Sequence, residues 1–348
     1  MNNGILKKCA LLPVGAIATA VGLATLSNVY ASAIGLPGVR VATMVIVSLV
    51  WLAAIIKMTV HFKTFKADYI LLVPSSLYAT FSMLTMLIGA FIFDYLPVVG
   101  QVIWLIGVVL HTLHLLIFTY RFVIKGIKLE TFLPTWFVTY MGYLVSIVSG
   151  TGIGFDSLLQ GIMIYGAIVY PIIFISMLVR LFKRPLPSIL KPTGAIFLAP
   201  CSLFFVSYLN VAQQPIDAIV IGAYAVVFIT IIRVATLLLS YLRGPFMPIQ
   251  ASLTFPTAIA LVATFRMVGY LNDTGREVIA TALHHFFGLQ LYFTTAIIVY
   301  VGYKFLSMLL DSYKKVQKVE PANFDIAKLD ADFGDELTEV TYEKGGSQ

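Results

Sequence analysis

Ten apolar runs follow one another along this chain, separated by short polar breaks. They cover roughly residues 9–35, 39–61, 70–92, 97–123, 132–152, 157–182, 191–211, 216–242, 249–271 and 277–309, and about 20 apolar residues suffice to cross a bilayer as an α-helix. None alternates with period two, so barrel strands do not fit. Only 11% of the residues are charged and 59% are hydrophobic, whereas a soluble domain carries about a quarter charged residues. The fold class that follows is all-α and integral to the membrane, with ten transmembrane helices. The short breaks make successive helices antiparallel neighbours.

Basic residues select an orientation. Sixteen Lys and Arg, from Lys7 and Lys8 through Arg121 and Arg180 to Lys318, fall on one side of the expected spans, against Arg40 and Arg276 on the other. Both termini are therefore expected in the cytoplasm, with the protein in the cell membrane. Residues 1–33 resemble a signal peptide ending at Ala31-Ser32-Ala33. The apolar run is longer than a usual signal core, however, and its removal would strand one terminus outside. From Asp311 onward five Lys face nine Asp/Glu, so the net charge of +7 divides into +11 before that point and −4 after it. The expected organisation is a membrane domain over 1–310 and an acidic, flexible cytoplasmic tail over 311–348. The basic surplus belongs to the membrane domain and is no sign of nucleic-acid binding. Cys9 and Cys201 provide neither a disulfide framework nor metal-ligand spacing.

Prolines recur at Pro13, Pro74, Pro134, Pro200 and Pro256, with spacings of 61, 60, 66 and 56 residues, each in an odd-numbered run. A period near 60 is two antiparallel spans with their turns, so the repeating unit is a helical hairpin. Five such hairpins close into a ring with the odd, proline-kinked helices inside. Bent helices leave a lumen, where irregular backbone is tolerated. The alternative is that the prolines simply mark helix starts.

At these residues the sequence resembles the TehA family, which joins bacterial tellurite-resistance and C4-dicarboxylate transporter proteins to the slow anion channels of plant guard cells. The resemblance runs over approximately residues 9–309. It is carried by Pro13 with Gly22-Leu23-Ala24-Thr25-Leu26-Ser27, by Leu198-Ala199-Pro200 with Ser207-Tyr208-Leu209, by Arg233, and by Leu253-Thr254-Phe255-Pro256. It implies five hairpins around a pore in each protomer, a homotrimer, and a pore-blocking phenylalanine, for which Phe255 is the matching position.

Beside that resemblance stand the residues themselves. Arg266 lies 11 residues after Phe255, which on an ideal helix is about 20° from the same face and about 16 Å further along. It is a candidate for attracting anions at the pore mouth, or for snorkelling to the interface. Arg233 falls on an expected outer helix and reads as structural. His111 and His114 share a helix face, yet no carboxylate or cysteine accompanies them, so no metal site is assigned. Gly150-Thr151-Gly152-Ile153-Gly154 is similar to a nucleotide loop in composition only and is expected as a turn. The seven acidic residues before position 311 all fall in loops or at span ends, leaving no mid-membrane carboxylate for protons or sodium. No nucleophile–base pair is present, so neither an enzyme nor a cofactor is expected.

The expected function is a gated anion channel for small ions such as chloride or nitrate, occluded by Phe255. The alternative is a carrier for a C4-dicarboxylate or an oxyanion such as malate, tellurite or sulfite, for which histidine is the candidate proton link. A third reading is a membrane scaffold whose acidic tail recruits a cytoplasmic partner.

Overall fold

The computed structural model describes residues 7–243 and 245–318, and all regular structure among them is helical. The chain divides into two compact units, Met1–Phe305 and Leu306–Gln348. Residues 319–348, which make up most of the expected acidic tail, lie outside the described residues.

Helix α1 spans Val14–Ser32 and α2 spans Pro37–Thr59. The short helices α3 (Phe62–Ile70) and α4 (Leu72–Leu77) then lead into α5 (Ala79–Phe93). Helix α6 (Pro97–Thr119) continues into a π-helical turn over Tyr120–Ile124. Two short helices follow, α7 (Trp136–Tyr140) and α8 (Val145–Gly150), and then the long α9 (Asp156–Lys183). A 3-10 helix over Ser188–Phe197 precedes α10 (Leu198–Val211), which α11 (Asp217–Leu242) follows. A second 3-10 helix over Pro248–Leu253 precedes α12 (Thr254–Asp273), and α13 runs over Glu277–Lys318.

Nine helical segments among the described residues are long and apolar enough to cross a membrane. The tenth apolar segment, Trp136–Gly150, is shorter and is interrupted by a 3-10 turn over Gly142–Leu144. The fifth expected span is thus not one continuous helix. Its irregular backbone is satisfied from outside: His111 Nε2 of α6 donates to the Thr139 carbonyl at 2.9 Å, and the Tyr165 hydroxyl of α9 donates to the Tyr140 carbonyl at 3.0 Å. Without such donors, unpaired carbonyls in an apolar setting would cost several kcal/mol each, on the order given by transfer data.

Five helices pack in a closed circuit within the first unit: α1 on α5, α5 on α8, α8 on α10, α10 on α12, and α12 back on α1. Burial separates this circuit from the rest. The segment ending in α12 is 83% buried and that ending in α5 78%, against 17% for α2 and 22% for α9. Each of the other long helices bridges neighbours of the circuit. Helix α2 packs on α1 and α5, α6 on α5 and α8, α9 on α8 and α10, and α11 on α10 and α12. Phe287 and Ile298 of α13 are buried against Leu26 and Val29 of α1 and Ala258 and Leu261 of α12. The outward faces of these bridging helices carry large exposed apolar side chains such as Leu49, Val98, Ile229 and Leu239, as a hydrocarbon solvent requires.

The five prolines sit where α-helices begin. Pro13 is the residue before α1, and Pro134 precedes α7 by two positions. Pro74, Pro200 and Pro256 are each the third residue of α4, α10 and α12. The first four N–H groups of a helix have no intrahelical partner, so proline loses nothing there. The expectation of proline-kinked inner helices therefore takes a more specific form. The α-helix restarts at the proline, and before it the chain is extended or wound as a 3-10 helix.

Glycines set the closest approaches. A methyl group on Gly89 would stand 2.4 Å from Trp104 N, and one on Gly100 would stand 2.2 Å from Phe93 N, so α5 and α6 meet backbone to backbone. A methyl on Gly22 would reach within 2.9 Å of Phe255 N, which presses α1 against the start of α12. Backbone cannot retreat as a flexible side chain can, and overpacking typically costs about 1–3 kcal/mol. Gly100→Ala is expected to lower the thermal transition of the detergent-solubilised protein by that order of free energy. Gly222→Ala, with open space around the added methyl, is the matched control and should leave the transition unmoved.

Candidate functional site

A cavity of about 530 Å³ opens among the five circuit helices, and every one of them contributes to its wall. From α12 come Phe255, Ile259, Val262, Phe265 and Arg266. Their i, i+4, i+7, i+10 and i+11 spacing is one face of an α-helix. The wall is mostly aliphatic: Leu87 and Ala90 from α5, Val145 and Val148 from α8, Leu203 and Val206 from α10. Phe255 is the most N-terminal lining residue of α12 and is only 8% exposed. It forms the inner end of the cavity, while Arg266 stands at the opposite end, about 16 Å along an ideal helix.

The mouth is polar. Asn28 and Ser32 of α1, Arg40 of α2, Asp94 after α5 and Asn210 of α10 all line it. Arg40 Nη1 donates to Asp94 Oδ2 at 2.7 Å and its Nε to Asn28 Oδ1 at 2.7 Å, with the guanidinium 5.0 Å above the Phe91 ring. Arg266 Nη2 donates to Asn210 Oδ1 at 2.8 Å, an uncharged partner, and Asp273 at the end of α12 acts on it only from beyond ion-pair distance. Arg276, in the loop before α13, donates to Asp217 Oδ1 at 2.5 Å and Oδ2 at 2.7 Å. Those bonds hold its guanidinium above the usual arginine value. Of these three arginines, only Arg266 has no carboxylate within ion-pair distance among the described residues.

Phe255 and Arg266 thus lie on one wall of one cavity. Arg233 does not reach it: the side chain is exposed on α11, with its guanidinium 5.7 Å from the Phe197 ring. None of the five prolines lines the cavity. The turn over residues 150–154 does contribute, through Thr151 and Ile153, with Gly152 and Gly154 at positive φ. His111 and His114 are buried in hydrogen bonds to Thr139, with Ser82 and Tyr69 on their remaining nitrogens. Among the described residues no group of three or more His, Cys, Asp or Glu is placed to hold a metal ion.

Sequence reasoning missed two features. Asn28 and Asn210 stand near the ends of apolar runs, where a polar amide is a visible anomaly. The other is Lys57, buried at the far end of α2 from Arg40. Its Nζ donates to the Leu12 carbonyl at 2.8 Å and to Asp68 Oδ2 at 2.6 Å, and the Tyr78 hydroxyl donates to the same carboxylate at 3.0 Å. The ammonium thereby ties the start of α1 to Asp68 of α3, whose carboxylate in turn holds Tyr78 at the start of α5.

Cys9 and Cys201 are both buried, which allows the cavity wall to be mapped with introduced thiols. Val262→Cys is expected to react with a water-soluble charged thiol reagent. Ala263→Cys, one residue on and fully buried, should not. Equal rates at the two positions would mean that α12 does not present the Phe255–Arg266 face to the cavity.

Residues 12–308 match the family model described as SLAC1, voltage-dependent anion channel. A comparison with curated proteins returned no match.

Proposed function

The chain belongs to the SLAC1 family of voltage-dependent anion channels, and on that premise we propose that it is a gated channel for small inorganic anions such as chloride and nitrate, with Phe255 as its plug. Family membership and the apolar helices make it a multi-pass membrane protein of an anion channel and transporter family. The proposal adds the permeation route, the gate and the ions.

One observation carries it. The cavity is walled by all five circuit helices and ends on a buried phenylalanine, with an arginine on the same helix face at its mouth held by an amide rather than by an ion pair. In this reading ten helices form five hairpins, α1 with α2, α5 with α6, α7–α8 with α9, α10 with α11, and α12 with α13, around a central pore. The broken segment Trp136–Gly150 stands in for a full inner helix. Anions enter at Arg266, cross an aliphatic stretch and are stopped where the Phe255 ring fills and dries the lumen. Asn28 in the lining has its amide oxygen engaged by Arg40 and its NH2 as a donor that suits weakly held anions, whereas the Thr25 and Ser149 hydroxyls give their protons to the Val21 and Val145 carbonyls. The excess of basic residues at the other ends of the helices supports cytoplasmic termini in a cell membrane. A homotrimer is part of the same proposal and rests on the resemblance alone.

A second reading keeps the site and changes the mode. A volume of about 530 Å³ has room for a C4-dicarboxylate or an oxyanion, and a cavity closed at Phe255 suits a carrier that alternates its openings.

Current across bilayers holding the purified protein separates the two. Under a chloride gradient Phe255→Ala is expected to raise anion-selective current on the order of tenfold or more over wild type, because removing the ring re-wets the constriction. Silence in both proteins, together with saturable uptake of a dicarboxylate into vesicles, would replace the channel with the carrier.

A further inference from the structure

The three charged side chains that line the cavity are not equivalent. Arg40 and Asp94 meet at 2.7 Å with 24% and 48% of their side chains exposed, whereas Arg266 hydrogen-bonds the Asn210 amide and feels Asp273, at the end of α12, only from beyond ion-pair distance. We infer that Asp94 is a specificity-determining residue of this cavity: its carboxylate cancels Arg40 and leaves Arg266 to set the net charge that ions meet at the mouth. The inference rests on the reading of the cavity as an ion path.

Viewed from the cavity interior, an ion pair is a dipole whose field fades quickly, while a lone charge acts over about a Debye length, roughly 8 Å at physiological salt. The lining therefore sums to +1: Arg40 and Arg266 positive, Asp94 negative. Among the described residues Asp94 is the only carboxylate in that lining, so it is the lining position where loss of a negative charge strengthens the field; Asp273, which acts on Arg266 from the end of α12, stays the same in every variant compared. The other partners of Arg40 are the Asn28 amide oxygen and the Phe91 ring, so among the described residues no second acid takes over the place of Asp94 beside it. Neutralising Asp94 brings the sum to +2. Neutralising either arginine brings it to zero. Neutralising Arg40 and Asp94 together restores +1.

These sums make a test that does not depend on the gate. In a Val262→Cys background, reaction rates are compared for a monovalent anionic and a monovalent cationic thiol reagent of similar size. A unit charge roughly 8 Å away in water changes the local concentration of a monovalent ion about twofold, and in opposite directions for the two reagents. Asp94→Asn is expected to raise the anionic-to-cationic rate ratio about fourfold at low salt. Arg40→Gln and Arg266→Gln should each lower it by a similar factor, and Arg40→Gln/Asp94→Asn should return it to the parent value. All differences should shrink in 1 M salt, where the screening length is about 3 Å. Asp94→Glu, which keeps the charge, should match the parent.

A merely structural staple gives another pattern. In that case Asp94→Asn, Arg40→Gln and the double variant would all change the reactivity of Val262→Cys alike toward both reagents and at every salt concentration, and the inference would be overturned. If Asp94→Asn fails to fold, the same test passes to Arg40→Gln against Arg40→Gln/Asp94→Asn, because the second must show the higher ratio. Current through the Phe255→Ala channel should follow the same order of variants. A ratio that follows the sums while Phe255→Ala stays silent would sink the plug and leave the charge arrangement standing. Large currents indifferent to Asp94 would do the reverse.

Discussion

Every backbone N–H and C=O in an apolar surrounding must find a partner, and the architecture of this protein follows from how that demand is met where helices break. A regular helix meets it internally. The five circuit helices are not regular: they start late, restart or divide, and the freed groups are taken up by neighbours. His111 and Tyr165 reach in from α6 and α9 to carbonyls of the divided segment. Arg121 Nη2 donates to the Ile70 carbonyl beside the break before α4, and Ser252 Oγ donates to the Pro192 carbonyl between the two 3-10 helices at 2.8 Å. Lys57 does the same for Leu12. The polar side chains scattered through the apolar runs are thus largely the fasteners of an irregular inner wall.

That view explains which parts of the fold were legible in the sequence. Span number and extent depend on runs of apolar residues, and the proline period marks the places where helices begin. Phe255 and Arg266 could be set on one face because helical geometry over 11 residues needs no tertiary information. The division of the fifth span was hidden. Its cause is a set of donors more than 20 residues away in sequence, and composition at 132–152 looks like any other apolar run. His111 shows the point well: metal chemistry and carbonyl capping require the same residue type, and only its neighbour Thr139 decides between them. The charge state of the mouth was hidden for a similar reason. Arg40 begins the second run and Asp94 ends the third, and nothing local says that they pair.

The cavity joins two kinds of surface. Apolar side chains from all five circuit helices make most of its wall, while polar groups gather at one end around Arg266, Asn28 and Asn210. Such a wall holds no ion tightly, which suits passage more than storage. The ring at the far end is tightly framed. Gly22 lets the α1 backbone press against Phe255 and Thr254, and the Thr254 hydroxyl is bonded to the Ala251 carbonyl at 2.8 Å. A side chain held on so firm a base gives way by turning about its own torsions, or the whole start of α12 has to move.

The split between a broken, largely buried inner circuit and continuous, exposed outer helices has a consequence for how the chain is made. Helices such as α2 and α9 present apolar side chains on nearly all sides and partition into lipid on their own as they leave the ribosome. The inner segments carry backbone carbonyls that side chains of neighbouring helices pair, and lipid offers such groups no partner. They need their partner helix beside them before they leave the aqueous path of the insertion machinery. The circuit therefore closes only when α12, the last of its five helices along the chain, meets α1. A chain cut before α12 would leave the inner segments as an open arc, with Gly22 of α1 facing no backbone and the polar groups of the inner wall short of their last neighbour.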